Sequence, residues 1–267
     1  MGDAVLLWGR LVGAQIRSQA QYRVSLVLEI LGAFLLSFVD FLAIVVIFHN
    51  TPRLAEWNVQ EVAFLYALSS ISFALTDLLI GHLDQFPQKI RDGNFDIMLV
   101  RPRGTLFQVL GSDFQMRRLG KAFQGIAVLA YALSVLHVHW TIARLAVLLV
   151  SVPAGVVIFA SVWVVFGCMA FWTTDGGEFT NAFTYGGSFL AQYPIDIYSA
   201  WLRRFLAYAV PLAFVCYFPA LFVLGKHDPL GLPRGLQVVS PAVAVVATMV
   251  AGCAWRFAVR HYRSAGG

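Results

Sequence analysis

Charge is what this chain has least of. Of its 267 residues only 12% are Asp, Glu, Lys or Arg, while 59% are hydrophobic and the mean hydropathy is +0.74. A soluble domain carries about twice that share of charge, so the balance excludes one and calls for a polytopic membrane protein. Spans of about 20 residues leave room for roughly six with their connections, which makes 1–267 one membrane domain. Cysteine is scarce as well: Cys168, Cys216 and Cys253 lie in apolar runs, odd in number and without CxxC spacing. That argues against a disulfide frame and a zinc site and leaves three small buried hydrophobes.

Catalytic signatures are absent too. Gly120-Lys121 is followed by Ala122, and Gln115 stands where a phosphate loop would need its first glycine. No HExxH or GxSxG occurs, and His137-Val138-His139 has no carboxylate or cysteine companion. The chain is therefore read as no enzyme, holding no metal and binding no cofactor of its own. Its net charge of +5 is spread over short segments and lacks the dense basic stripe of a nucleic-acid binder.

What is present is a series of apolar runs. Residues 1–23, MGDAVLLWGRLVGAQIRSQAQYR, lack a signal peptide's cleavage pattern. They set Val5, Trp8, Leu11, Val12 and Ile16 against Arg10, Gln15, Arg17 and Gln19, the pattern of an amphipathic interface helix. Six spans follow, near 24–48, 59–83, 122–136, 142–172, 205–224 and 238–259. With both termini cytosolic, fifteen Lys and Arg face the cytosol and only Arg53, Arg144, Lys226 and Arg234 lie outside, a strong positive-inside bias. The substantial cytosolic connections are then 84–121 and 173–204. Residues 219–241 hold Pro219, Pro229, Pro233 and Pro241 among apolar residues, which predicts an external segment re-entering the bilayer before the last span.

Ionisable groups within spans need a partner or water. Glu29 and Asp77 are read as interfacial, whereas Asp40 is deeper and is a candidate for the pathway or a subunit contact.

The connection 84–121 is too patterned for a linker. A polar helical start leads to the Gly93-Asn94 turn and a segment stopped by Arg101-Pro102. Phe86, Ile90, Phe95 and Leu99 are apolar knobs among Asp84, Lys89, Arg91, Asp92 and Asp96, which suits a short helix docking into a groove on another protein.

At this block, Gly93-Asn94-Phe95-Asp96 with Leu99 and Arg101-Pro102 resembles the membrane subunits of bacterial type-two ATP-binding-cassette exporters, in the permease family of about this length. Phe171-Trp172-Thr173, Tyr193-Pro194 with Ile197-Tyr198, Pro211 with Tyr217 and Pro219-Ala220, and Tyr262 to Gly266 extend the resemblance over essentially the whole chain. It implies an all-α permease with an interface helix, a cytosolic coupling helix and a re-entrant segment. It further implies a bacterial inner membrane location and a second permease, identical or related, as partner. Two ATPase subunits would hold ATP and Mg, and their closure would drive export of a small molecule, drug or lipid-like substrate. The ATPase-contacting residues implied are Asp84, Gln85, Phe86, Gln88, Lys89, Ile90, Arg91, Asp92, Gly93, Phe95, Asp96 and Arg101. A second contact is expected from Asp175, Glu178, Arg203 and Arg204. The competing classes are a secondary transporter, which should show an internal repeat, and a non-catalytic membrane scaffold.

Overall fold

The computed structural model of the chain describes residues 2–51, 53–173, 176–228, 231 and 233–262, and of residues 2–8, 10 and 11 the backbone alone. Asp175, Pro229, Arg263 to Gly266, and the side chains of Val5, Trp8, Arg10 and Leu11 lie outside that description. Among the described residues every regular element is helical and no strand occurs. The helices are α1 (Gly2–Ala20), α2 (Arg23–Asn50), α3 (Val59–Ile80), α4 (Phe86–Arg91), α5 (Asn94–Leu99) and α6 (Thr105–Leu110). They continue with α7 (Leu119–Val135), α8 (Ile142–Gly167), α9 (Gly176–Ala191), α10 (Ala200–Arg204), α11 (Tyr217–Leu224) and α12 (Ser240–Arg260).

Among the described residues four helical runs are long and apolar enough to cross a membrane: Arg23–Asn50, Val59–Arg91, Ile142–Phe171 and Ser240–Arg260. Burial sorts them. The most apolar stretch of the run from Val59 is 83% buried against 17% for α2, so α3 is the central post and α2 stands at the edge. α3 starts where the sequence says it should, because Asn58 and Glu61 form a reciprocal capping box, each side chain 2.9 Å from the other's backbone nitrogen.

Lipid gives apolar helices little reason to associate, so close backbone approach and hydroxyl bonds must do it. Gly120 of α7 lies so near α2 that a Cβ there would sit 2.2 Å from the Ile30 carbonyl oxygen, and one on Gly125 would meet Ile71 of α3 at 2.8 Å. Pro153 interrupts the hydrogen bonding of α8. Beside it, Ser72 and Thr76 of α3 donate to the Val152 and Val156 carbonyls at 3.4 and 3.1 Å.

One correction concerns the chain after α8. The expectation of a connection over 173–204 confined to one end of the bundle does not hold. α9 begins beside the end of α8, where Thr180 donates to the Phe166 carbonyl at 3.1 Å. By Asp196 the chain has reached the opposite end, where Trp57, just before α3, donates to that carboxylate at 2.8 Å. Arg203 stays there, donating to the Asp196 carbonyl at 2.9 Å. Shifting Arg203 and Arg204 changes the Lys and Arg count from fifteen against four to thirteen against six, and the asymmetry survives.

The expected fifth span, 205–224, is corrected with it. Ala200–Ala209 and Leu212–Leu224 are bent by 72°. The bend is buried at the depth of Gly155 and Gly187, where Cβ atoms would touch Val215 and Leu212. Beyond it α11 climbs back to Lys226, which pairs with Glu61 at 2.8 Å. Both arms thus open at the end that carries Trp57, so 200–224 is a bent helical pair that doubles back, whereas the expected re-entering stretch was 219–241. Of that expected stretch, Pro219 belongs to buried α11 and Pro241 to the first turn of α12.

Candidate functional site

The 84–121 connection gathers at one end of the bundle as three short helices with defined joints. α4 and α5 meet at Gly93, whose φ of 72° lies in the left-handed region that glycine adopts without penalty. His82 fastens α6 to the end of α3 through the Val109 carbonyl at 2.6 Å. Trp255 of α12 donates to Thr105 at 3.0 Å, and Gln15 and Gln19 of α1 bond the Ser112 and Phe114 carbonyls.

Of the four apolar knobs, Phe86, Ile90 and Phe95 point inward and only Leu99 stays exposed, which corrects the expectation that they project toward a partner. Phe86 and Phe95 pack edge-on at 5.5 Å and both meet Phe171 and Trp255, with Tyr262 closing the cluster 5.1 Å from Phe95. These rings clamp the connection to the ends of α8 and α12. Burial of several aromatic side chains at one joint packs the connection firmly against those helices.

Asp84 also turns inward. Its carboxylate accepts from Trp163 of α8 at 3.2 Å and from Tyr185 of α9 at 2.8 Å. The Tyr185 hydroxyl lies 3.4 Å from the Asp77 carboxylate, which is ion-paired with Arg118. Phe73 stacks on Trp163 at 5.6 Å, and the Lys121 ammonium sits over its other neighbourhood, 4.5 Å from the ring centroid. Asp77 therefore has a partly buried ion-pair partner within the bundle. Gly81 admits this arrangement because a Cβ there would collide with the Arg118 guanidinium.

The outward face is what remains: Gln85, Gln88, Arg91, Asp92, Ile97, Leu99, Val100 and Arg101 are exposed, Val100 by 83%. Gln88 holds Asp92 at 2.7 Å, and Lys89 is half-turned inward, donating to Ser112 at 2.6 Å. Gly93 and Asp96 are partly covered. Asp40 lies on the exposed side of α2 and makes no hydrogen bond or ion pair among the described residues. Glu178 starts α9 near the block, whereas Arg203 and Arg204 are at the other end, so the structure does not bring those three together.

Sequence reasoning missed Tyr185, Trp163, Arg118 and Lys121 as partners of the acidic residues. A signal existed: Asp77 and Asp84 are seven residues apart, two helical turns, and so share a face of the run leaving α3. Among the described residues no group of three or more His, Cys, Asp or Glu is placed to hold a metal.

Residues 34–266 match a family model described as ABC-2 family transporter protein. No curated protein and no solved structure matches.

Proposed function

The chain belongs to the ABC-2 transporter family and is an ABC transporter permease, and from that premise we propose that it works as half of an exporter's translocation path. In this family the catalytic work falls to a separate ATPase subunit. On our reading a second permease, identical or related, completes the path, and two ATPase subunits bind ATP and Mg. α2, α3, α7, α8, α9 and α12 are the six spans, with both termini and the 84–121 connection in the cytosol of a bacterial cell.

The observation that carries the reading is the family match over almost the entire chain, joined by a rigid connection with an exposed polar face at one end of the bundle. Gln85, Gln88, Arg91 and Asp92 meet the ATPase. Because Phe86 and Phe95 clamp the connection to α8 and α12, displacement there tilts whole helices, as in hinge and shear transitions. The transported molecule is small, drug-like or lipid-like. A secondary transporter would need no such partner, and a scaffold would show no flux.

The test is a search of the neighbouring genes for a phosphate-loop ATPase, followed by reconstitution of the permease with it. Association and ATP-driven flux are expected, and reversing charge at Arg91 and Asp92 together should abolish both while the permease stays monodisperse in detergent. A permease that never retains that ATPase, with flux unaffected by the reversal, overturns the proposal.

A further inference from the structure

Three cations that stand far apart in the sequence meet at the end of the bundle opposite the 84–121 connection. Arg144 of α8, Lys226 just beyond α11 and Arg234 shortly before α12 line one cleft of about 180 Å³ with Thr141 and Gln237. None of its lining residues is acidic. The charge of Lys226 is already answered, because Glu61 pairs with it at 2.8 Å. The two arginines are not paired in this way. One Nη of Arg144 donates to the His139 carbonyl at 2.9 Å, which aims the guanidinium, and exposed Arg234 has no hydrogen bond or ion pair among the described residues. Gly225 keeps the space open, since a Cβ there would lie 3.1 Å from the other Nη of Arg144. Gln237 closes the cleft, 2% exposed and with its Oε1 unpartnered among the described residues. A buried amide oxygen without a donor is costly, and this one borders the space that a ligand's own donor would fill.

The cleft is one end of a longer groove. About one helical turn deeper along α8 and α11 lies an apolar hollow of about 170 Å³, lined by Ala146, Val150, Pro219 and Pro241 among others. Ala146, Val150 and Pro241 are exposed, so the hollow opens sideways from the bundle. A pair of cations above an apolar furrow is the surface complement of an amphiphile with an anionic head. A phosphodiester suits two guanidinium groups, each of which can give paired N–H bonds to its oxygens, and a hydroxyl or ammonium on the same headgroup supplies the donor that Gln237 lacks. A free phosphate would share the chemistry of the cleft but leave the hollow unused. We infer that this groove holds one phospholipid, its phosphate between Arg144 and Arg234 and an acyl chain along α8. The assignment goes beyond the proposed function, since it calls on neither the ATPase nor the transported molecule.

The full permease, purified in detergent, is titrated with dioleoyl phosphatidylglycerol and separately with inorganic phosphate. Native mass spectrometry counts the retained lipid and calorimetry follows the phosphate. Wild type should hold one phospholipid tightly. Arg144→Gln with Arg234→Gln should weaken it roughly tenfold, whereas Arg53→Gln, at an exposed arginine of the same end outside the cleft, should not. Arg234→Gln alone should still cost severalfold with an unchanged thermal midpoint, which separates lost binding from lost folding. Gln237→Leu should weaken retention without lowering the midpoint, because it removes an unpaired polar group. Ala146→Trp, which fills the hollow, should weaken the phospholipid and leave inorganic phosphate alone. Retention by the double arginine variant equal to that of wild type overturns the site. If wild type takes up inorganic phosphate as tightly as the lipid and Ala146→Trp changes neither, the ligand is a free anion and the phospholipid assignment is wrong. Both of those results leave the ATPase partnership untouched.

Discussion

Tyr185 on α9 donates to the carboxylate of Asp84 at 2.8 Å, linking the first residue of the hydrophilic connection to a helix that leads to the opposite end of the bundle. Trp163 reaches the same carboxylate from α8. One side chain thus bonds the connection to two helices.

Removing the phenolic oxygen isolates that link. Tyr185→Phe keeps the ring against Phe73 and Trp163, at 5.4 and 5.6 Å, so the fold loses only a hydrogen bond to an acidic group, about 1.5–3 kcal/mol. Molecules transported per ATP hydrolysed should fall severalfold while ATPase association is unchanged. Equal losses in flux and association would place Tyr185 in general folding instead.

The aromatic clamp should be a stability element. Phe95→Ala empties a fully buried site between Phe86, Phe171, Trp255 and Tyr262, a change that costs about 3–5 kcal/mol in a packed core. Thermal unfolding in detergent and proteolysis of the 84–121 connection report it: a lower midpoint and faster cleavage are expected. Val100→Ala, at an exposed position, should leave both within error.

Gly120 sets two effects against each other. Alanine in a helix gains up to about 1 kcal/mol over glycine, but its Cβ would lie 2.2 Å from the Ile30 carbonyl oxygen, and backbone cannot rotate away as a side chain can. Forced separation of packed helices costs about 1–3 kcal/mol, so Gly120→Ala should lower the unfolding midpoint. The same change at Gly252, inside α12, where a Cβ meets nothing within 4 Å, should raise it slightly through helix propensity alone, and a stabilised Gly120→Ala would show that α2 and α7 are looser than the structure has them.

These positions show what the sequence could and could not reveal. Four long apolar runs were legible because hydropathy is local. Phe86, Ile90 and Phe95 were legible as anchors but not in direction, since an apolar knob on a short helix fits its own bundle or a partner equally well. α9 was hidden because its 16 residues, rich in glycine, threonine and serine, fall below the length and hydropathy of a span. Yet Gly176, Thr180, Thr184, Gly187, Ser188 and Ala191 are all buried at three- to four-residue spacing, the small-residue stripe by which helices approach closely in lipid. That stripe, set against the shortage of charge between 179 and 195, was the available signal.

The reassigned topology is open to direct measurement. Ser199 is exposed and three residues from Asp196, which Trp57 and Tyr217 hold at the far end of the bundle. Arg101 is exposed at the block end. In a background where Cys168, Cys216 and Cys253 are replaced, Ser199→Cys and Arg101→Cys should react with a membrane-impermeant maleimide from opposite sides: intact cells should label only the first, and inverted vesicles only the second. The earlier reading of 173–204 as one cytosolic connection requires both cysteines to label from the same side. The hydrogen bonds at Asp196 exclude that arrangement in this fold, because a chain held at Trp57 cannot also lie beside Asp84, a distance of the whole of α3 away, about 33 Å at 1.5 Å per residue.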